Sequence, residues 1–478
     1  MTKLYNYRAL CLGMAAGLGL LLAPACSSPA PSTTAETTAP TALAVGKLLP
    51  RFPDFGYLPD PKQYSGRVFK LSQDYPKDKP ALEPAVQKIL GIDYQKDWKA
   101  YMLAVRDYVY EGNIAGDAVR ANDFYLEDNK VRRWFHVPWQ HYGPTGREGI
   151  HGLTKEGPVN PFVLDPAQKT RWQTYAVGFY NEPGGYMIGK TWADAANPDI
   201  SVMQSEGFPE GTIVGKVLFT TAPISQAPFL KNPIEWQAYT TTSFEADTPR
   251  IMNTVRFVQM DIMVRDSRAA ATGGWVFGTF AYNGALAQAG KNPWLNVVPV
   301  GMMWGNDPTV TTDTTNQAPT RTIINAALKE TVINTSPDLP PAHLGWGLRL
   351  DGPVDDTRSS CMSCHSTAQF PAITPILPFI PQDGVPLPKP GSAAWMRWFR
   401  NVPCTKPFDE QAVSADYSLQ LAASIQNFIQ DRSANTKGMY EVEYWKGHPV
   451  QPILGMRGAS PSQQQVQTKK LARAVLLR

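Results

Sequence analysis

The chain has 478 residues, a length that suggests two or three domains at roughly 100–200 residues each. Hydrophobic residues make up 43% and charged residues 18% of the chain, which is typical of a globular protein and excludes a wholly disordered one. The net charge of +4 is small and argues against nucleic acid as a partner.

The first 26 residues have the pattern of an export signal. Lys3 and Arg8 form a basic start, and the apolar run that follows is too short to span a bilayer. Small residues then precede Cys26, and this stretch resembles the lipobox of bacterial lipoproteins, with Ala23 where leucine is usual. The resemblance implies that Cys26 is lipidated. Cleavage after Ala25 without lipidation is the alternative.

The stretch after Cys26 is rich in Ser, Thr, Pro and Ala. Such a composition cannot bury enough apolar surface to fold, so it would act as a flexible tether. No later run of 18 apolar residues predicts a transmembrane helix. We therefore expect a protein of the periplasm or cell envelope that is held to a membrane by its lipid anchor.

Residues 46–344 contain a predicted helix at 94–110, where apolar side chains recur at three- and four-residue spacing. Strands are predicted at 213–221, 255–264, 275–282 and 295–303. Within the second of these, apolar residues at even positions alternate with residues such as Gln259 and Asp261, so the two sets face opposite ways. Antiparallel strands joined by long loops predict an α+β protein whose large N-terminal domain is β-rich and sandwich-like.

The strongest motif is Cys361-x-x-Cys364-His365, the signature of covalent c-type haem attachment. Two thiols three positions apart on a helical turn can each form a thioether with a haem vinyl group, and the adjacent histidine can supply an axial nitrogen. The rival interpretations are a disulfide and a redox-active Cys-x-x-Cys. Export favours haem, because c-type haem is attached outside the cytoplasm. Cys404 is left over and is predicted to be a free, buried thiol.

From residue 345 to about 432, the chain resembles a single-haem c-type cytochrome domain. The resemblance rests on the motif and on an amphipathic helix predicted at 416–432. It implies a small, mainly helical domain in which Cys361 and Cys364 bind one haem c covalently and His365 is the proximal iron ligand. The Gly- and Asp-rich segment before the motif departs from the family, which usually has a helix there.

The resemblance also implies a distal iron ligand, and the family order points to Met396, between the motif and the final helix. The alternatives are Met439, Met456, His343 and His448. Arg397 or Arg400 would pair with the haem propionates, or these arginines are simply solvated.

A second cluster holds three of the six histidines, at positions 136, 141 and 151. A metal or catalytic site is one interpretation, but the spacing matches no tight ligand pattern. A loop whose histidines bond to the backbone is the favoured one.

The predicted organisation is a signal peptide (1–26), a tether (27–45), a β-rich region of unknown role (46–344), a cytochrome c-like domain (345–450) and a basic tail (451–478). The predicted function is single-electron transfer to and from a redox partner protein, by an electron carrier rather than a catalyst. The alternative is a haem-dependent oxidoreductase that oxidises a substrate or acts on peroxide, or a haem sensor, with the β-rich region binding the substrate or ligand. Distal ligation separates these functions, since a closed iron favours electron transfer and an open iron favours catalysis or sensing.

Overall fold

The computed structural model describes residues 52, 57–114, 124, 126–140, 147–241, 249–286, 292–311, 324–340, 343–382, 384–435, 444–445 and 448–449. These residues form an α+β fold. The predicted signal, tether, lipidation site Cys26 and basic tail lie outside them, so the lipid anchor stays a prediction.

The helices of the described residues are α1 (Pro84–Gly91), α2 (Trp98–Tyr110), α3 (Glu182–Thr191), α4 (Ser201–Ser205), α5 (Cys361–His365), α6 (Ala393–Met396) and α7 (Leu419–Asn435). The larger strands are β1 (Thr154–Lys155), β2 (Thr174–Tyr180), β3 (Ile213–Thr220), β4 (Glu235–Thr241), β5 (Arg250–Arg265), β6 (Trp275–Tyr282), β7 (Val297–Met303) and β8 (Thr331–Ile333). Four short strands follow: β9 (Gln369–Phe370), β10 (Val413–Ser414), β11 (Tyr444–Trp445) and β12 (His448–Pro449). None of the described helices is both long and apolar enough to cross a bilayer.

Strands β1 to β8 form one antiparallel sheet in the order β1-β2-β3-β5-β6-β7-β8, and β4 also pairs with β5. The sandwich-like prediction is therefore wrong for the described residues, because the strands hydrogen-bond into one large sheet instead of two. The reason is the length of β5, whose 16 residues pair with β3, β4 and β6.

Helix α2 confirms the predicted helix but begins four residues later. Asp97 caps it by accepting a hydrogen bond from the backbone nitrogen of Ala100 at 3.1 Å. The apolar stripe of α2 packs on the sheet at Gly278, where an added Cβ would lie 2.2 Å from Sδ of Met102. Glycine at position 278 leaves room for the Met102 side chain between helix and strand.

The alternation predicted in β5 is confirmed. Val258, Met260 and Ile262 are fully buried in the core that they share with α2. Asp261 and Met263, which alternate with them, belong to the opposite face of the sheet. That second face is the one that bears the candidate site.

The C-terminal part of the chain packs against this second face. Met263 and Phe277 of the sheet share one apolar cluster with Met362 of α5, Phe370 of β9 and Leu421 of α7. The motif-bearing segment and the sheet therefore bury a common core.

Candidate functional site

The cysteine–histidine motif forms the single helical turn α5. Ser360 caps this turn: its hydroxyl accepts from the backbone nitrogen of Ser363 at 3.1 Å. The Ser363 hydroxyl in turn accepts from the backbone nitrogen of Ser360 at 2.8 Å, which completes a capping box. Residues three apart lie on one side of a helix, so the turn presents both thiols together.

The imidazole of His365 is anchored through one nitrogen. Its Nδ1 atom lies 2.9 Å from the carbonyl oxygen of Tyr417, and since a carbonyl can only accept, Nδ1 is the donor. This hydrogen bond leaves Nε2 unprotonated in the neutral ring, the form that binds a metal. Burial lowers the pKa of His365, which favours that neutral form. Phe277 of β6 packs beside the ring, with 5.1 Å between ring centroids.

The anchoring carbonyl belongs to an unusual turn just before α7. Asp416 and Tyr417 both have left-handed backbone, with φ of 46° and 66°. The Asp416 carboxylate holds the turn by accepting from the backbone nitrogen of Phe208 at 2.8 Å and from Nε1 of Trp275 at 3.2 Å. The Tyr417 hydroxyl donates to the carbonyl of Val402 at 2.6 Å. Strain of this kind persists where surrounding contacts over-determine the backbone.

The two motif thiols are free and half-buried. Burial raises the pKa of both Cys361 and Cys364, and the charge of Asp351 raises it further. A redox-active cysteine pair needs a thiol of lowered pKa, so the environment disfavours that rival interpretation. The described residues also include no group of three or more His, Cys, Asp or Glu side chains that could hold a metal ion by itself.

A cavity of about 960 Å³ lies between the sheet and the C-terminal segment, and Cys361, Cys364 and His365 all line it. Ligand pockets are commonly about 300–1,000 Å³, so this one lies at the upper end. Ile376, Leu377 and Ile380 supply apolar lining from the segment that follows the motif.

The sheet wall of the cavity follows from strand register. Lys216 of β3 pairs with Gly178 of β2 and Asp261 of β5, and Asp261 pairs with Thr279 of β6. All four residues line the cavity. Thr279 is also 3.7 Å from the sulfur of Cys361, measured from its Oγ1 atom. Asp261, one of the polar residues that alternate in β5, thus lines the same cavity as the motif.

Ionisable groups of both signs line this cavity. Lys216 pairs with Glu156 at 3.4 Å. Asp261 accepts from Gln259 at 2.8 Å and from Thr279 at 3.0 Å. Burial raises the pKa of Asp261 and of Asp351 well above the usual range for a carboxyl group, and the charge of Asp355 adds to both shifts.

Met396, the predicted distal ligand, ends helix α6 and is half-buried. It is not among the described residues that line the cavity. The neighbouring arginines are engaged elsewhere, since Arg397 pairs with Asp409 and Arg400 donates to the carbonyl of Phe408.

Besides His365, two Met or His side chains of the described residues line the cavity, namely Met263 and His343. Sequence reasoning did not single out Met263, and it ranked His343 below Met396. For Met263 the available signal was strand parity, because position 263 shares the parity of Asp261. Met439 and Met456 lie outside the described residues, and so does the side chain of His448.

The histidine-rich segment is a separate, structural feature. Nδ1 of His136 accepts from the backbone nitrogen of Ser72 at 3.0 Å. The Glu148 carboxylate accepts from the backbone nitrogens of His151 at 2.7 Å and Leu153 at 3.0 Å. Neither histidine lines the cavity. His136 confirms the favoured interpretation of a histidine bonded to the backbone, whereas the imidazole of His151 stacks on Trp236 with 4.3 Å between ring centroids. His141 lies outside the described residues.

Cys404 corrects a further prediction. It is disulfide-bonded and is not a free thiol. Counting cysteines failed here because it assigned every other cysteine a role before pairing was considered.

Comparison of the chain with known protein families, curated proteins and solved structures finds no match.

Proposed function

We propose that this protein binds one haem c covalently through Cys361 and Cys364, with His365 as an axial iron ligand, and that it transfers single electrons. One observation carries the proposal: the motif turn opens onto a cavity of about 960 Å³ while Tyr417 anchors the imidazole through Nδ1. The haem would supply a one-electron iron couple. Everything else in the function depends on how the chain's own residues bind and enclose that group.

The donor set fits haem better than it fits a metal ion or a disulfide. Both thiols are free and protonated, the form in which sulfur and hydrogen can add across a vinyl group. The carbonyl of Tyr417 orients His365 by the kind of outer hydrogen bond that metal-binding histidines use. Apolar side chains from Phe277, Ile376 and Leu377 line the cavity as walls for a flat, largely apolar ring.

The predicted export signal agrees with this function, because c-type haem is attached outside the cytoplasm. Lipidation at Cys26 would hold the protein at a membrane of the cell envelope, where a redox partner protein would exchange electrons with it. The compact cytochrome c-like domain at 345–450 belongs to the same proposal, with one modification. The large sheet would form a wall of the haem site in place of the usual preceding helix.

One observation favours the second candidate, a haem-dependent oxidoreductase or sensor. The cavity is lined by Lys216, Glu156, Asp261 and Asp351, which are more ionisable groups than a simple electron carrier needs. Such groups can position a polar substrate or move a proton during a reaction. This function requires an open coordination position on the iron.

The test is expression of the full chain with a c-type haem maturation system, followed by absorption spectra of oxidised and reduced protein. We expect c-type bands that survive acid–acetone extraction. Cys361→Ser and Cys364→Ser should each retain one thioether and shift the reduced pyridine–haem band toward that of a haem with one free vinyl group. The double variant should lose covalent haem. Absence of bound haem from correctly folded wild-type protein would refute the proposal.

A further inference from the structure

His343 is a buried histidine whose ring nitrogens have no hydrogen-bond partner of good geometry among the described residues. The residue is 1% exposed. Neither Nδ1 nor Nε2 makes a hydrogen bond within the described residues, although both atoms are shielded from solvent. Buried polar groups are nearly always satisfied, and each exception calls for an explanation such as a ligand that is not present.

The position of His343 supplies that explanation. It lines the same cavity as His365 and both motif cysteines. Its segment is tied to the motif by backbone hydrogen bonds, from Trp346 to Ser359 at 2.8 Å and from Cys361 to Leu350 at 3.2 Å. The two histidines are therefore carried by adjoining pieces of backbone, and the fold holds them at one cavity.

The state of the ring suits a metal ligand. The carboxylate of Asp355 and the backbone of Pro353 and Leu344 are among the groups that act on this ring. Those backbone groups lie close to the ring without meeting the geometry of a hydrogen bond. A neutral imidazole has a nitrogen lone pair to offer to iron, and histidine is the commonest metal ligand in proteins.

The other candidates at the cavity already have structural roles. Met263 packs in the apolar cluster of the sheet face, where methionine serves as core filler. Lys216 is paired with Glu156. Met396 is not among the described residues that line the cavity.

We infer that His343 is the second axial ligand of the haem, an inference that rests on the proposed function. Two imidazole ligands close the iron to small molecules and give a lower reduction potential than histidine–methionine ligation. This coordination favours electron transfer over the peroxide and sensor alternatives. It also explains why a segment before the motif, rather than a methionine after it, completes the site.

The test compares the haem-loaded wild type with His343→Ala, Met263→Leu and Met396→Leu by electron paramagnetic resonance, near-infrared magnetic circular dichroism and carbon monoxide binding. We expect a low-spin wild type with a bis-imidazole near-infrared band and no sulfur-to-iron band. His343→Ala should become high-spin and bind carbon monoxide, and added imidazole should restore the low-spin signal. Met263→Leu and Met396→Leu should keep the wild-type spectrum.

The wild-type spectra decide the question even if His343→Ala fails to accumulate. A high-spin wild type, or a sulfur-to-iron band that disappears in either methionine variant, would overturn the assignment of His343 while leaving covalent haem binding intact. Failure of the wild type to bind haem covalently would instead overturn the proposed function, and the assignment with it.

Discussion

The Nδ1 atom of His365 lies 2.9 Å from the carbonyl oxygen of Tyr417, a residue 52 positions further along the chain. This hydrogen bond couples the motif helix to the turn that precedes α7. The carbonyl points at the imidazole because Asp416 and Tyr417 both adopt left-handed backbone. The imidazole orientation therefore depends on contacts that hold this turn, and these contacts can be tested one at a time.

Asp416→Ala should destabilise the protein through that turn. The change removes the acceptor for the Phe208 nitrogen and for Nε1 of Trp275, and leaves two buried donors unpaired. We expect the free energy of unfolding in urea to fall by about 2–4 kcal/mol. Asp416→Asn keeps one acceptor oxygen and tolerates left-handed backbone. Its free energy of unfolding should therefore fall by about half as much as that of the alanine variant. A loss below about 0.5 kcal/mol for the alanine variant would mean that the turn does not depend on this carboxylate.

Asp351→Asn should make the motif thiols of haem-free protein more reactive. Where Asp351 is ionised, its charge raises the pKa of Cys361 and Cys364, so its removal lowers the pKa of both thiols and increases the thiolate fraction. We expect alkylation by iodoacetamide, measured at alkaline pH where Asp351 carries its charge, to accelerate roughly threefold to tenfold, because the rate follows the thiolate fraction. The matched control is Asp74→Asn, whose side chain is 99% exposed and should leave the rate unchanged. An equal acceleration in both variants would refute the local electrostatic explanation.

His151 should make the protein sensitive to acid. Burial lowers the pKa of His151 from 6.5 to about 3, so the unfolded chain binds a proton in this window that the folded chain does not. The stability contributed by the neutral ring is present above pH 6.5 and is lost as the pH falls toward 3. His151→Phe keeps a ring to stack on Trp236, where the centroids are 4.3 Å apart, and cannot be protonated.

The check is the unfolding free energy of wild type and His151→Phe across that pH range. As the solution is acidified, the unfolding free energy of His151→Phe should increase relative to that of wild type by about 1.4 kcal/mol per pH unit. A difference that stays constant with pH would show that His151 titrates alike in both states.

Asp261→Asn should gain stability relative to wild type as the pH rises, whereas His151→Phe should gain stability relative to wild type as the pH falls. Burial raises the pKa of Asp261 well above its ordinary value of 3.8, so the folded chain holds a proton that the unfolded chain releases. The stability from the protonated carboxyl is present below pH 3.8 and is lost as the pH rises through the folded pKa. The amide of the variant does not ionise, so the unfolding free energy of the haem-free variant should increase relative to that of wild type as the pH rises above about 4, by up to about 1.4 kcal/mol per pH unit. A difference in unfolding free energy between wild type and Asp261→Asn that does not vary with pH would contradict a buried, protonated Asp261.

Part of the fold was predictable because it follows from local periodicity. The apolar stripe of α2 predicted that helix, and the alternation in β5 predicted which side chains lie on each face of a strand. The ends of elements were less accurate where side chains or backbone strain intervene. Asp97 caps α2 later than the stripe begins, and the left-handed Asp416 and Tyr417 delay the start of α7.

By itself, the sequence determined that two cysteines and a histidine are spaced for haem attachment, since helical geometry sets that spacing over five residues. Only the tertiary structure decided what surrounds them. It brings Asp261 and Lys216 of the sheet and the buried His343 to the same cavity, and it leaves Met396 out of the described lining. The physical reason is that contacts between distant segments depend on strand register and on burial of a shared core, and neither is encoded in the spacing of a short motif.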